Sequence, residues 1–254
     1  MSEANNLFPQ PDSESAIRFL QMFEPEGPWV LTAEPPYMNE NQELTDIPSY
    51  LNEHLTRTFH PHEANLLKEW LDRWNGRINL CFQVNRAVTD SNGKARRREI
   101  DQVRWLYANV FLRGGEPVEE EQQRIRGLLA ERRPTEVPAP TAIIFSGRGF
   151  QVLWRLNEPI VVDGSLTAYR ASRYNLALEW ALQGDNCNNI DWSARLPGTI
   201  NIPNDLRRRE RRPAALVRLI SFDDSRRYQL SAFTPAPPPP RQWASSGSRG
   251  GRNV

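Results

Sequence analysis

Seventeen residues near the middle of the chain, Pro140–Leu156 (PTAIIFSGRGFQVLWRL), constrain the fold more than any other stretch. The apolar run Ala142, Ile143, Ile144, Phe145 breaks at Ser146-Gly147-Arg148-Gly149, and a second apolar run from Phe150 to Leu156 follows at once. Two β-rich runs joined by a Gly-containing break read as a hairpin. Glycines at the tip let backbone N–H groups approach an anion, and an arginine there suits a phosphate. On turn chemistry alone the plainer reading is an ordinary tight turn.

The flanking sequence supplies helices for such a sheet. Residues 1–12 read as a loose leader. Ser13 caps a helix to about Phe23, with Ala16, Phe19, Leu20 and Phe23 on one face and Pro25 and Gly27 ending it. Trp29–Ala33 reads as a short strand, residues 34–48 as an exposed loop, and Ser49–Thr56 as a short helix. Pro61 opens a firmer helix with the stripe Leu67, Trp70, Leu71, Trp74 and a stop at Gly76. His60 and His62 lack a nearby third ligand and read as helix-start residues rather than a metal pair. Ile78, Leu80, Phe82 and Val84 alternate with polar residues, as in a strand with one buried face.

After a polar loop over 86–98, Trp105–Leu112 forms a strand with Tyr107, Asn109 and Phe111 on one face and Leu106, Ala108 and Val110 on the other. A helix opens at Pro117 with an acidic first turn and ends near Arg132 and Arg133, in keeping with the helix dipole. A long helix from Ser165 to about Gln183 places Leu166, Tyr169, Leu176, Trp180 and Ala181 inward. Residues 214–222 read as a final strand, Tyr228–Phe233 closes the domain, and the Pro- then Gly/Ser-rich tail after Pro235 reads as linker or disordered end. The expected parts are therefore an acidic, mostly helical region over 1–75, a core over 76–234 and a tail over 235–254.

Charge narrows the partners. The net charge is +1, but residues 1–75 carry −9 and the rest +10, and only Lys68 and Lys94 among the basic residues are lysines. Arginine suits bidentate phosphate contacts, although a GC-rich genome produces the same bias. A basic body points to a nucleotide or nucleic-acid partner. Lys94, Arg96, Arg97 and Arg98 form one basic cluster, and Arg207, Arg208, Arg209, Arg211 and Arg212 another. The chain lacks a long apolar span, so no membrane partner is expected, and two distant cysteines suit a reducing, cytoplasmic setting.

Three strings in order, SGRGFQVLWRL, YNLALEW and DNCNNIDWSARLPGTINIPN, resemble the primase-polymerase domains of the archaeo-eukaryotic primase superfamily, in the form carried by phages, prophages and plasmids. The resemblance covers about Phe19 to Phe233. It implies an α+β fold with an RRM-like antiparallel sheet flanked by helices. It also implies template-directed nucleotidyl transfer on single-stranded DNA from nucleoside triphosphates, with Mg²⁺ or Mn²⁺ and an associated helicase. The family's paired strand carboxylates fall here on Asn109 and Phe111. Its glycine hairpin falls on Ser146, Gly147, Gly149 and Gln151, and its single aspartate on Asp191. Arg148, Gln151, Ser146 and Arg195 are the implied nucleotide contacts, and the two arginine clusters the implied DNA contacts. Asn109 offers Mg²⁺ one neutral oxygen and Phe111 none. The expectation is a primase-like domain that binds nucleotides and DNA but transfers weakly or not at all. The alternatives are an active enzyme with shifted ligands, and a non-catalytic module that docks a helicase.

Overall fold

The computed structural model describes residues 8–34, 56–87, 95–185, 187–203 and 213–238. In chain order the elements are α1 (Ser13–Phe23), β1 (Trp29–Glu34), β2 (Thr56–Phe59), α2 (Ala64–Trp74), β3 (Asn79–Gln83), β4 (Arg86–Ala87), β5 (Ile100–Phe111), α3 (Val118–Leu129), β6 (Ala142–Phe145) and β7 (Gly149–Val161). Then come α4 (Ser165–Ala181), β8 (Ser193–Arg195), β9 (Ile200–Asn201), β10 (Ala215–Leu216), β11 (Arg218–Phe222) and β12 (Arg227–Tyr228).

The expected hairpin is the spine of the larger sheet. β6 and β7 pair antiparallel from Ala142↔Leu153 to Phe145↔Phe150, and β5 lies on the other side of β7. Among the described residues the order is β11-β6-β7-β5-β4, with β12 joining β7 beyond the end of β6. A smaller antiparallel sheet runs β2-β1-β3-β8, so a strand from the RLPGT region completes a sheet begun by the N-terminal residues. The architecture is α+β, as expected.

Period-two alternation divides β5 between two cores. Trp105 and Tyr107 join Phe23, Leu31, Phe82 and Leu153 in a cluster between the sheets. Leu106, Ala108 and Val110 join residues of α3 and α4 behind the larger sheet. Phe23 stacks on Trp105 with ring centroids 4.4 Å apart, which locks α1 to the sheet.

Several local expectations need correction. Asp12, not Ser13, caps α1: its side chain accepts from the Ser15 N–H at 2.9 Å, and the two bonds it takes from Ser15 hold its carboxyl below the usual range. Thr56 begins β2 rather than ending a helix, and the remainder of the expected helix over 49–56 lies outside the described residues. β3 is buried on both faces, because Asn79 and Cys81 on its polar side are covered as fully as Leu80 and Phe82.

The face of α4 is also reversed. Its inward residues are Ala168, Ala171, Ser172, Asn175, Leu178 and Glu179, while Leu166, Tyr169 and Trp180 are exposed. The reason lies in β5. Its outer edge is paired by β4 only at Ile100 and Gln102, and further along the buried backbone still needs partners. Side chains supply them. Asn85 Oδ1 accepts from the N–H groups of Arg104 and Trp105, both at 3.0 Å, and Asn175 Oδ1 accepts from Tyr107 N–H at 3.1 Å. Glu179 Oε1 accepts from Asn109 N–H at 2.8 Å, and Asp185 N–H donates to the Asn109 carbonyl at 3.1 Å. Hydrogen bonding, not apolar periodicity, sets which side of α4 faces in.

Candidate functional site

Asn109 and Gln151 are direct cross-strand partners on β5 and β7. Both are nearly fully buried, on the side of the sheet that carries Tyr107 and Leu153. Gln151 Oε1 accepts the backbone N–H of Arg195 at 3.1 Å, which ties β7 to β8 and joins the two sheets at this point. Asn109 Oδ1 is buried without a hydrogen-bond partner among the described residues. An orphaned buried amide oxygen is uncommon and marks a place where polarity was retained against cost.

Phe111 follows on the same face, opposite Gly149. A Cβ at Gly149 would lie 2.3 Å from the Val110 carbonyl oxygen, so only glycine allows the strands this close. The Arg148 guanidinium lies over the Phe111 ring, 4.4 Å from its centroid. This is a cation–π contact at the hairpin tip. Ser146 is buried and its hydroxyl donates to the Gly149 carbonyl at 3.2 Å, so it braces the turn. Its own carbonyl accepts from Asn201 Nδ2 at 2.6 Å.

The Arg195 side chain points to Glu34 Oε2, at 2.9 Å, and Cys81 Sγ, at 2.6 Å. Burial works against its charge, but Cys81 and Glu34 together outweigh it and hold the guanidinium firmly protonated. Asp191 is half-buried, next to Trp192, which stacks on Tyr107 at 4.4 Å. Burial, then the nearby Cys187, Glu179 and Asp191, push the Tyr107 phenol well above its ordinary range, and its hydroxyl donates to the Asn189 carbonyl.

The RLPGT string is held by side-chain amides. Asn75 donates to the Gly198 carbonyl and accepts from Ile200 N–H, each at 3.0 Å. Asn79 does the same for both backbone groups of Ile202, at 3.0 and 2.7 Å. Gly198 takes a positive φ of 83°, and a Cβ there would sit 2.3 Å from the Asp12 carbonyl oxygen.

The structure thus brings Asn109, Phe111, Arg148, Gln151 and Arg195 together, with Asp191 reached through the Tyr107–Trp192 stack. Arg96, Arg97 and Arg98 stand elsewhere. They precede Ile100 at the opposite end of β5, about 30 Å along the strand from Asn109. Lys94 and Arg207, Arg208, Arg209, Arg211 and Arg212 lie outside the described residues. Sequence reasoning missed Tyr107, Asn175 and Glu179. The only signal was that Asn175 and Glu179 sit four residues apart on one face of the helix, with Ser172 three residues before.

No three His, Cys, Asp or Glu side chains among the described residues are grouped to hold a metal ion. On the site face of β5 the side chains fit a dication poorly: one neutral amide oxygen at Asn109, a hydrocarbon ring at Phe111 and a guanidinium laid across that ring, while the Gln151 oxygen and the Glu179 carboxylate beside them are bonded to backbone N–H groups. Among the described residues, no helix is long and apolar enough to cross a membrane.

A larger sheet built on a glycine hairpin and backed by helices, with a smaller sheet beside it, gives a fold that solved primase-polymerase domains share. The chain is similar to the primase-polymerase domain of cyanophage S-2L, with a TM-score of 0.53 and 12% identity, covering 87% of this chain and 95% of that one. It is also similar to the primase RepB′, with a TM-score of 0.50 and 11% identity, covering 83% of this chain and 56% of that one. No protein-family model matches the sequence, and no curated protein matches it either.

Proposed function

We propose that this chain is a primase-polymerase-like domain of a phage, prophage or plasmid replication protein, which binds nucleoside triphosphates and single-stranded DNA and performs little or no nucleotidyl transfer as written. One observation carries the reading. Asn109 and Phe111 occupy the strand face where the resemblance calls for two carboxylates, while the glycine hairpin and Gln151 beside them are intact. In related chemistry a divalent metal joins the 3′-hydroxyl to the triphosphate. The residues here do not fit such a metal pair.

What remains is a surface suited to phosphates. Arg148 sits at the hairpin tip with its charge held over Phe111, while Gly147 packs against Ala215 and Gly149 against the backbone of Val110 and Phe111. The Arg195 guanidinium is neutralised in part by Glu34, and separately its backbone N–H ties β8 to Gln151. The clusters Lys94, Arg96–Arg98 and Arg207–Arg212 would follow a DNA backbone, giving salt-dependent affinity.

The test is binding by the full chain. Labelled single-stranded DNA and a labelled nucleoside triphosphate are titrated separately and followed by anisotropy. Arg148→Ala is expected to weaken nucleotide binding by about tenfold, the scale of one charge-assisted contact. Absence of binding to either ligand at low salt contradicts the reading.

A further inference from the structure

The outer face of α4 carries larger apolar side chains than its inner face. Leu166, Tyr169 and Trp180 are 60%, 37% and 54% exposed, and Leu176 is half-buried, whereas alanines, a serine and an asparagine make up most of the buried side. Leu166, Tyr169, Leu176 and Trp180, with Arg173 at the central position, fall in steps of three and four, the spacing of a heptad seam whose middle position is charged. The seam runs about 21 Å along the helix. Large apolar groups placed outside in this order are not needed for the fold, since Asn175 and Glu179 already anchor the other side.

The charge on this helix is one-sided. Arg170 and Arg173 are its only basic residues, and its one acid, Glu179, is fully buried underneath. Neither arginine forms an ion pair among the described residues. Arg173 is half-buried in the middle of the seam, with its guanidinium near the Tyr169 ring and donating to the Ala236 carbonyl, while the Ala236 N–H donates back to the Arg173 carbonyl at 2.9 Å. The chain therefore leaves the described body beside this seam.

We propose that α4 docks an amphipathic helix of a partner protein, apolar at its a and d positions and acidic along its flanks. Seam spacing selects a helix, because an α-helical partner presents side chains at the same interval. The arginines select acidic flanks. A second copy of this chain fits badly, since it would bring Arg170 and Arg173 against their own kind. Single-stranded nucleic acid would use the rings and arginines but would leave Leu166 and Leu176 without a stacking partner. The proposal does not depend on the nucleotide site, which lies on the other face of the larger sheet.

The test uses the full chain and a fluorescein-labelled synthetic helix of about four heptads, with Leu at a and d and Glu at e and g. A matched helix carries Lys in place of Glu. The acidic helix is expected to bind at least about tenfold more tightly than the basic one, and Arg170→Glu to remove that preference. Trp180→Ala with Leu166→Ala is expected to weaken binding by about tenfold or more, as for a central aromatic anchor. Both positions are exposed, and circular dichroism checks that the variant remains folded. Equal binding of the two helices, or no binding of either, overturns the proposal. So does self-association of the chain that Trp180→Ala abolishes, which would assign the face to a second copy. Capture of single-stranded DNA lost in the same variant would assign it to nucleic acid and overturns it likewise.

Discussion

The backbone N–H of Asn109 donates to the carboxylate of Glu179, 2.8 Å away and seventy positions later in the chain. No strand supplies that bond. A helix side chain does, with Asn175 one turn earlier performing the same service for Tyr107. The part of β5 that carries the candidate site is thus positioned by α4 on one edge and by β7 on the other.

Removing that carboxylate leaves a buried N–H unsatisfied. Glu179→Ala is expected to cost about 1–3 kcal/mol from the unpaired donor alone, with a further loss from the void. Glu179→Gln keeps an oxygen in place and is expected to lose less. Urea unfolding of the two variants against the parent chain checks the order.

The amides of Asn75 and Asn79 divide the RLPGT segment between them. Asn75→Ala is expected to speed hydrogen exchange at Ile200, and Asn79→Ala at Ile202, each sparing the other amide. Asn75→Ala leaves the Ile200 N–H unpaired, since the Gly198 carbonyl keeps its bond from the Asp12 N–H, and is expected to cost about 1–3 kcal/mol; Asn79→Ala leaves both backbone groups of Ile202 unpaired and is expected to cost about 2 kcal/mol or more. Exchange rates that rise equally at both amides in either variant would contradict separate anchoring.

Acid stability has a local source in Glu121. The Arg124 side chain bonds this buried carboxylate, burial opposes the charge, and the Arg113 N–H adds a bond, so its pKa falls to about 2. A carboxyl lowered in the folded state contributes stability that is complete above its unfolded value and is lost as pH falls towards the folded one. The chain is therefore expected to lose stability between about pH 4.5 and 2. Denaturant midpoints measured across that range should fall less steeply for Glu121→Gln, which has no proton to gain.

Much of this was legible in the residues. The apolar–glycine–apolar pattern of 140–156 specifies β6 and β7, and alternation along Trp105–Leu112 assigns Asn109 and Phe111 to the correct face, because period two is set by backbone geometry alone. The stripe of α2 is also where its spacing puts it. Legibility ended where side chains replace backbone partners. Asn75, Asn79, Asn85, Asn175 and Glu179 look like surface residues in a linear sequence, yet each satisfies a distant backbone group. The same blindness reversed α4, since periodicity counts apolar side chains and not the hydrogen bonds that β5 demands. The pairing of β3 with β8 across more than a hundred residues had no local signal.

The most direct test restores the missing charge. The full chain carrying Asn109→Asp and Phe111→Asp together is assayed for extension of a labelled primer on a single-stranded template with Mn²⁺ or Mg²⁺, beside the parent chain. Metal-dependent product is expected from the double variant and little or none from the parent. A folded double variant that makes no product, or a parent chain that extends primers efficiently, would contradict the proposed function.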